Sequence, residues 1–435
     1  MAEVTLDEIV SLAKRRGFIF PGSDIYGGLS GTWDYGPLGI MLKRNLINLW
    51  WKFFIDQRDD IYPMDAAILM NSKVWQASGH VETFTDPLVE CQICHARFRA
   101  DKIDLGKCPS CGQKDTFREP QNFNLMFKTN IGPTSEDASS LVYLRPETAQ
   151  GIFTNFKNVV DTFYPSIPFG IGQSGKAFRN EISPRDFIFR SREFEQLEIE
   201  YFINPKDWQK NFDMWLQLIR EWCQLLGLSS DMIVEHEIDQ ADRAHYSKRT
   251  VDFEFKFPIG QEELLGLAYR TDFDLKNIER VSKKSMIYHP KDGSEPFVPH
   301  VIEPSFGVER AIMAILSSAY QTDKVNDENR IFLKLPNYLA PYLVVVSPLV
   351  KNKVELLDKA QVVFRLLKAE FGAVMWDDNG NIGKRYRRAD EIGVPYCITI
   401  DFDTLDNDTV TIRDRDTTEQ RRVAISELIS QIAII

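Results

Sequence analysis

The chain has no apolar run near the eighteen or so residues that a membrane-crossing helix needs. No helical membrane span is therefore expected. Its first residues, "MAEVTLDEIVSLAKRRGF", lack the apolar core of a secretory leader, and a cytoplasmic protein is expected. Positive charge is not in excess. The 52 Lys and Arg face 63 Asp and Glu, a net charge of −11. A general polyanion binder is disfavoured, and nucleic acid must be met by local patches such as "GKRYRR" at 383–388. Histidine is scarce, and the six present suggest no His-centred catalytic set. Internal repeats and low-complexity segments are absent.

Cysteine is sparse too, yet four of the six form "CQIC" at 91–94 and "CPSC" at 108–111. Two C-x-x-C knuckles at this spacing fit a four-thiolate zinc ribbon of Cys91, Cys94, Cys108 and Cys111. Four thiolates leave no open coordination position, so the zinc is expected to be structural. His95 is read as a neighbour. Cys223 and Cys397 stand alone and read as buried thiols.

The 435 residues suffice for two or three domains. Thr5 and Glu8 form a capping box for a first helix that Gly17 stops. Residues 37–55 read as a helix opened by Pro37 and apolar nearly all round, which fits a core helix or a subunit interface. Residues 206–227 place Trp208, Phe212, Trp215, Ile219 and Trp222 at helical spacing, the pattern of core packing. From about 338 onward, strands alternate with helices, as in a small α/β domain.

Gly170, Gly172 and Gly175 are spaced as in a dinucleotide-binding fingerprint, with Glu195 twenty residues on. The context disagrees. Pro165 and Pro168 argue against a central parallel strand upstream, and Pro184 comes too soon for a crossover helix. The alternation in "KAFRNEI" and "REFEQLEIEYF" instead predicts two antiparallel strands joined by a basic loop. Arg179 and Glu181 share one face of the first. Gln196, Glu198 and Glu200 share a face of the second, opposite Leu197, Ile199 and Tyr201. "LRPETAQG" at 144–151 and "IEPSFGVERAIMAIL" at 302–316 add more charge. Arg310 falls in the first turn of a helix, where an anion is already favoured. A guanidinium fork there suits a phosphate.

Read together, these segments resemble a class II aminoacyl-tRNA synthetase, and within that class the dimeric glycyl-tRNA synthetases. The resemblance rests on "GSDIYGGLSGTWDYGPLG" at 22–39, "AILMNSKVWQASGH" at 67–80, "FNLMFKT" at 123–129, "LRPETAQGIF" at 144–153, "GKAFRNEISPRDFIFRSREFEQLEIEYF" at 175–202, "YRTDFDL" at 269–275, "EPSFGVER" at 303–310 and "GKRYRRADEIGVPYCITID" at 383–401. It covers nearly the whole chain. It implies an α+β fold: a class II catalytic domain over 1–337, an antiparallel sheet flanked by helices, with a zinc-ribbon insertion near 88–118 and a helical insertion near 204–250. An α/β anticodon-binding domain over 338–435 follows. The 37–55 helix then falls in the motif 1 region, which forms the dimer interface in this class.

The implied reaction attaches glycine to tRNA(Gly) through glycyl-adenylate, with ATP as substrate, Mg²⁺ on its phosphates and a structural Zn²⁺. The implied assembly is a homodimer. Arg179, Glu181 and Arg310 carry the catalytic roles. Arg179 holds the α-phosphate, Phe194 stacks on adenine and Glu181 accepts from its amine. Arg190 and Arg310 meet the γ-phosphate of a bent ATP. Asn180, Phe189, Glu263, Leu264 and Gly307 complete the nucleotide contacts, and Glu263 is the candidate Mg²⁺ ligand. Glu147, Glu198 and Glu303 ring the ammonium of glycine, and Ser305 narrows the pocket. Arg99, Gln196, Phe194 and Gly307 are further substrate contacts. Lys384, Arg385, Arg387 and Arg388 are candidate tRNA contacts; alternatively that run holds its domain through pairs with Asp390 and Glu391. A catalytically dead, nucleic-acid-binding relative would not need these arginines and glutamates together.

Overall fold

The computed structural model describes residues 4–132, 140–244, 246–325 and 327–432. The first helix, α1 (Leu6–Arg16), has the expected capping box at Thr5 and Glu8. It ends at Gly17, whose φ of 73° suits a residue without Cβ. The second helix, α2 (Pro37–Trp51), runs on into a π-helical turn, Lys52–Asp56. Gly39 lets it dock closely, because a Cβ there would lie 1.8 Å from the Phe18 carbonyl oxygen.

The centre of the molecule is a seven-stranded sheet. Its strands are β1 (Ile61–Met64), β2 (Phe169–Phe178), β3 (Glu193–Ile203), β4 (Ile233–Glu237), β5 (Arg249–Phe257), β6 (Gly260–Thr271) and β7 (His300–Gly307). Their spatial order is β4-β5-β6-β7-β3-β2-β1. Only the β1–β2 pair is parallel. The register sets Glu198 opposite Ser305 and Gln196 opposite Gly307, so β3 and β7 deliver their polar residues to one place.

The glycines at 170, 172 and 175 lie within β2, which starts directly after Pro168. This corrects the sequence reading twice. The first hairpin strand is β2, and it stops at Phe178, short of Arg179 and Glu181. Those two residues sit in the loop beyond it, because the Asn180 amide turns away to the Leu125 carbonyl at 2.8 Å. The glycines serve close approach. A Cβ at Gly172 would lie 2.4 Å from Ile55, and one at Gly175 would lie 2.2 Å from the Arg145 guanidinium.

Helices α3 (Ala149–Phe163), α4 (Trp208–Leu225), α5 (Phe273–Ser282) and α6 (Val308–Ala319) flank the sheet. The aromatic face of α4 is core, with Phe212, Trp215, Ile219 and Trp222 fully buried. The 204–250 segment is not wholly helical, since it also carries edge strand β4. Leu197, Ile199 and Tyr201 are buried as expected. The opposite face is buried too, with Gln196, Glu198 and Glu200 all below a tenth exposed.

Residues beyond 338 form a separate five-stranded sheet with its own apolar core, flanked by α7 (Val354–Phe371) and α8 (Ile382–Glu391). Most of the basic run on α8 proves structural. Arg385 is buried and donates to the carbonyls of Pro348, Asp378 and Gly380. Arg388 forks onto Asp377 at 2.8–3.0 Å, and Arg387 pairs with Glu328. Asp390 pairs with Arg413 and Arg330, and Glu391 with Arg15 and Arg16, so neither serves the run itself. Of the basic side chains in the run, Lys384 alone is left exposed. Cys223 and Cys397 are buried thiols, as expected.

Candidate functional site

A cavity of about 330 Å³ opens where β3, β6, β7 and the loop after β2 meet. Its wall contains Arg99, Arg179, Glu181, Phe189, Arg190, Phe194, Gln196, Glu263, Leu264, Ser305, Gly307 and Arg310. Twelve residues from five separate segments therefore converge. Asn180 does not line it; its amide ties the loop to Leu125 beside the wall. Glu147, Glu198 and Glu303 do not line it either. Glu198 is bonded to the wall residues Ser305 and Gln196, while Glu147 pairs with His80 and Glu303 with Arg270. A larger open groove of about 470 Å³ lies elsewhere, around Trp208 and Arg249, where Arg249 is already paired with Glu237.

The outer half is cationic and aromatic. The Arg179 guanidinium lies 5.2 Å from the Phe194 ring centroid and 5.4 Å from that of Phe84. Its Nε donates to the Pro146 carbonyl at 3.1 Å. Arg310 enters from the first turn of α6 and packs 4.8 Å from the Phe189 ring. It pairs with the Glu263 carboxylate at 2.8 Å and holds that carboxyl below the ordinary range. Arg99 reaches in from the Cys-rich insertion, paired with Asp86 at 2.8 Å. Two buried acceptors on the wall, Glu181 Oε2 and Gln196 Oε1, have no hydrogen-bond partner among the described residues. A buried acceptor without a donor is unfavourable, so both suit a ligand's N–H groups.

The inner half is acidic. Glu198 accepts from the Thr148 amide at 3.0 Å and the Thr148 hydroxyl, and from Gln196 and Ser305 at 3.0 and 2.8 Å. Burial raises its carboxyl and Glu147 adds to the rise. Burial also acts to raise Glu147, but the His80 ring at 3.3 Å, with Arg270 and Arg179, holds it below the usual range. The Glu303 carboxyl is pushed up to about 8, chiefly by burial, with Arg270 opposing and Glu198 and Glu147 adding. Glu200 is fully buried, neither of its oxygens has a partner among the described residues, and burial next to Glu303 lifts it well above the carboxylate range.

Three contributors were missed in the sequence. Arg270 lies inside the quoted "YRTDFDL" without an assigned role. Its guanidinium meets Glu303 at 2.9 and 3.0 Å and Asp274 at 2.8 and 3.0 Å. The Phe153 and Tyr246 rings flank it, with centroids at 5.3 and 3.9 Å. The arginine four residues before Asp274, crossing from strand into helix, was the available signal. Thr148 and His80 were inside quoted segments, but nothing local marked their partners. Even with Arg270, carboxylates outnumber cations in this inner pocket, so an added cation is favoured there.

The Cys-rich insertion is a three-stranded sheet of Thr85–Glu90, Arg97–Arg99 and Gln121–Asn124. The four Sγ atoms lie within 4.8 Å of one another, and Cys91–Cys111 and Cys94–Cys108 are each 3.7 Å apart. A tetrahedral zinc with sulfurs at about 2.3 Å spaces them about 3.8 Å apart, so the set fits that ion. The insertion touches the cavity loop as well, where the Ser183 hydroxyl donates to the Arg97 carbonyl at 2.8 Å.

Comparison with known proteins gives consistent likenesses. A family model described as "tRNA synthetase class II core domain (G, H, P, S and T)" matches residues 127–319, and one described as "Anticodon binding domain" matches 343–433. The chain is 48% identical to a glycine–tRNA ligase of Alkaliphilus metalliredigens, covering 98% of this chain and 97% of that one. It is 47% identical to one of Borreliella burgdorferi, covering 99% and 97%. It is 45% identical to one of Streptomyces coelicolor, covering 100% and 99%. A crystal structure of a Cryptosporidium parvum prolyl-tRNA synthetase shares the fold at a TM-score of 0.67 and 16% identity, covering 99% of this chain and 74% of that one. Among the described residues, no helix is long and apolar enough to cross a membrane.

Proposed function

The chain belongs to the glycine–tRNA ligase family of class II aminoacyl-tRNA synthetases, and we propose that its 330 Å³ cavity and the acidic pocket behind it are where ATP and glycine meet. The enzyme attaches glycine to tRNA in two steps, and it uses ATP and Mg²⁺. Glycine's carboxylate attacks the α-phosphorus of ATP, forming glycyl-adenylate and releasing pyrophosphate. The terminal ribose hydroxyl of the tRNA then attacks the glycyl carbonyl and AMP leaves. No protein nucleophile takes part, so the protein's work is positioning and charge stabilisation.

The geometry supports the following roles. Phe194 stacks on adenine while Glu181, whose Oε2 lacks a partner, accepts from the exocyclic amine. Arg179 leaves the face of Phe194 and takes the α-phosphate, where charge develops in the transition state. Arg310 and Arg190 hold the γ-phosphate, with Phe189, Leu264 and Gly307 forming the walls around the nucleotide. Asn180 fixes the loop. Glu263 stands at the exposed mouth, where it would hold Mg²⁺ on the phosphates. Arg99 closes the side of the cavity facing the insertion.

Glu147, Glu198 and Glu303 receive the ammonium, Gln196 Oε1 adds an acceptor, and Ser305 keeps the space around Cα small. Arg270 holds the Glu303 carboxylate in place from one side and Asp274 from the other. A missing methylene gives about 1–3 kcal/mol of discrimination, whereas an added methyl in a closed pocket clashes outright. Alanine is thus excluded by size. The domain limits are 1–337 for catalysis and 338–435 for the anticodon, with the insertion holding a structural Zn²⁺ on Cys91, Cys94, Cys108 and Cys111. The enzyme works in the cytoplasm as a homodimer through the α2 region, whose neighbouring loop exposes Ile25 and Tyr26 at 88% and 87%.

The observation that carries this reading is the direct tie, through Ser305 and Gln196, between an arginine-lined aromatic cavity and the buried carboxylate of Glu198, beside which stand Glu147 and Glu303. Charging of tRNA(Gly) with labelled glycine, alanine and serine tests it. Glycine alone should be transferred, and transfer of alanine at a comparable rate would contradict the pocket.

A further inference from the structure

Lys43 is a charged residue on α2 that the reaction as described does not use, yet it is 4% exposed. Its Nζ lies 2.6 Å from Glu195 and 3.5 Å from Glu309. It also sits 4.6 Å from the centroid of the Tyr35 ring. The Tyr35 hydroxyl donates to Glu309 at 3.2 Å, and the Ser174 hydroxyl donates to Glu195 at 3.2 Å. Glu309 in turn accepts from the Glu195 backbone amide at 2.9 Å. One ammonium thus holds two carboxylates that would otherwise repel each other across a short gap.

The two carboxylates have telling neighbours. Glu195 follows Phe194, and Glu309 precedes Arg310. The Glu195–Glu309 bond ties the start of β3 to the first turn of α6. It therefore sets the distance between the adenine platform and the γ-phosphate arginine. Removing the ammonium leaves two buried like charges, which are expensive and push those segments apart. The inner acidic pocket is fixed by a different set, built on Arg270, Thr148 and Ser305.

We propose that Lys43 is a positioning residue that locks the two ends of the ATP site to each other and to α2, so that ATP binding, and not glycine binding, depends on it. The proposal rests on the reading of Phe194 and Arg310 as ATP contacts.

Lys43→Met and Lys43→Arg in the full chain test it, read as separate KM values for ATP and glycine in ATP–pyrophosphate exchange. The expected result for Lys43→Met is an ATP KM raised at least tenfold with the glycine KM within twofold. Lys43→Arg should return the ATP KM to within threefold of the parent. Equal shifts in both KM values, or none, would overturn the proposal. Should Lys43→Met not fold, Tyr35→Phe removes only one hydroxyl from the same cluster. It should raise the ATP KM two- to fivefold at constant glycine KM, and no change would overturn the proposal equally. Arg310→Ala, measured alongside, separates the two levels of the argument. If it raises the ATP KM while the cluster variants do not, only the role of Lys43 fails. If it leaves the ATP KM unchanged, the assignment of the ATP site fails.

Discussion

Replacing Glu303 with glutamine keeps the side chain's shape and removes one charge from the ammonium pocket. In the free enzyme Glu303 is 7% exposed and faces Arg270 at 2.9 and 3.0 Å, with Glu198 and Glu147 adding negative charge nearby. An ammonium about 4 Å from a carboxylate gains about 4 kcal/mol at an effective dielectric of about 20. Part of that gain is offset by desolvating both groups. Glu147 and Glu198 also remain to hold the ammonium. What remains is of the size of a charge-assisted hydrogen bond, about 1.5–3 kcal/mol. At about 1.4 kcal/mol per decade, Glu303→Gln should lower kcat/KM for glycine between about 10- and 150-fold. The assay is glycine-dependent ATP–pyrophosphate exchange at saturating ATP. The ATP KM should stay within twofold, because the nucleotide contacts lie in the outer cavity. An unchanged glycine KM would refute the reasoning, and so would an equal rise in the ATP KM.

The pH dependence of the parent enzyme follows from the same residue. Glu303 is pushed up to about 8 in the empty pocket, so below that pH an incoming ammonium must displace its proton. The glycine KM should fall several-fold between pH 6.5 and 8.5, and this slope should vanish in Glu303→Gln. Arg310→Ala should raise the ATP KM about 10- to 100-fold while glycine binding by calorimetry is unaltered, since it removes one charge-assisted contact. The purified chain should carry one zinc by atomic absorption, and the paired change Cys94→Ser with Cys108→Ser should abolish it and expose the 85–124 segment to proteolysis. Glu200 has a folded-state carboxyl raised far above its unfolded value, so it destabilises the fold progressively as pH rises above the unfolded value. The Tm of Glu200→Gln relative to the parent should therefore become more favourable from pH 5 to pH 8.

Much of the candidate site's lining was legible because it sets charged residues on half-buried strands, where few normally stand, and an arginine in a first helical turn, where acids are the rule. Arg310 in a first helical turn, and a row of acids alternating with Leu197, Ile199 and Tyr201, are visible as patterns. The four cysteines were legible from spacing alone. What escaped was set by tertiary contact. Whether β2 begins at Phe169 or at Lys176 depends on Ile55, Ile61 and Arg145 packing against bare glycines, which no local period reports. The Arg270–Glu303–Asp274 cluster joins three segments, and only one of its pairs is close in sequence. The basic run on α8 was open to two readings, tRNA contact or support of its own domain, and the structure shows the pairs that supply the second. Its spacing suits a phosphate-binding face, but Asp377, Glu328 and three backbone carbonyls engage Arg388, Arg387 and Arg385. Lys384 is the most exposed basic side chain there.

The site assignment is tested most directly by a crystal structure with a non-hydrolysable glycyl-adenylate analogue. The adenine should stack on Phe194 with its amine at Glu181, the phosphate mimic should face Arg179, and the amino group should lie within hydrogen-bonding reach of Glu147, Glu198 or Glu303. An analogue bound with its amino group outside that carboxylate pocket, or its base away from Phe194, would contradict the account.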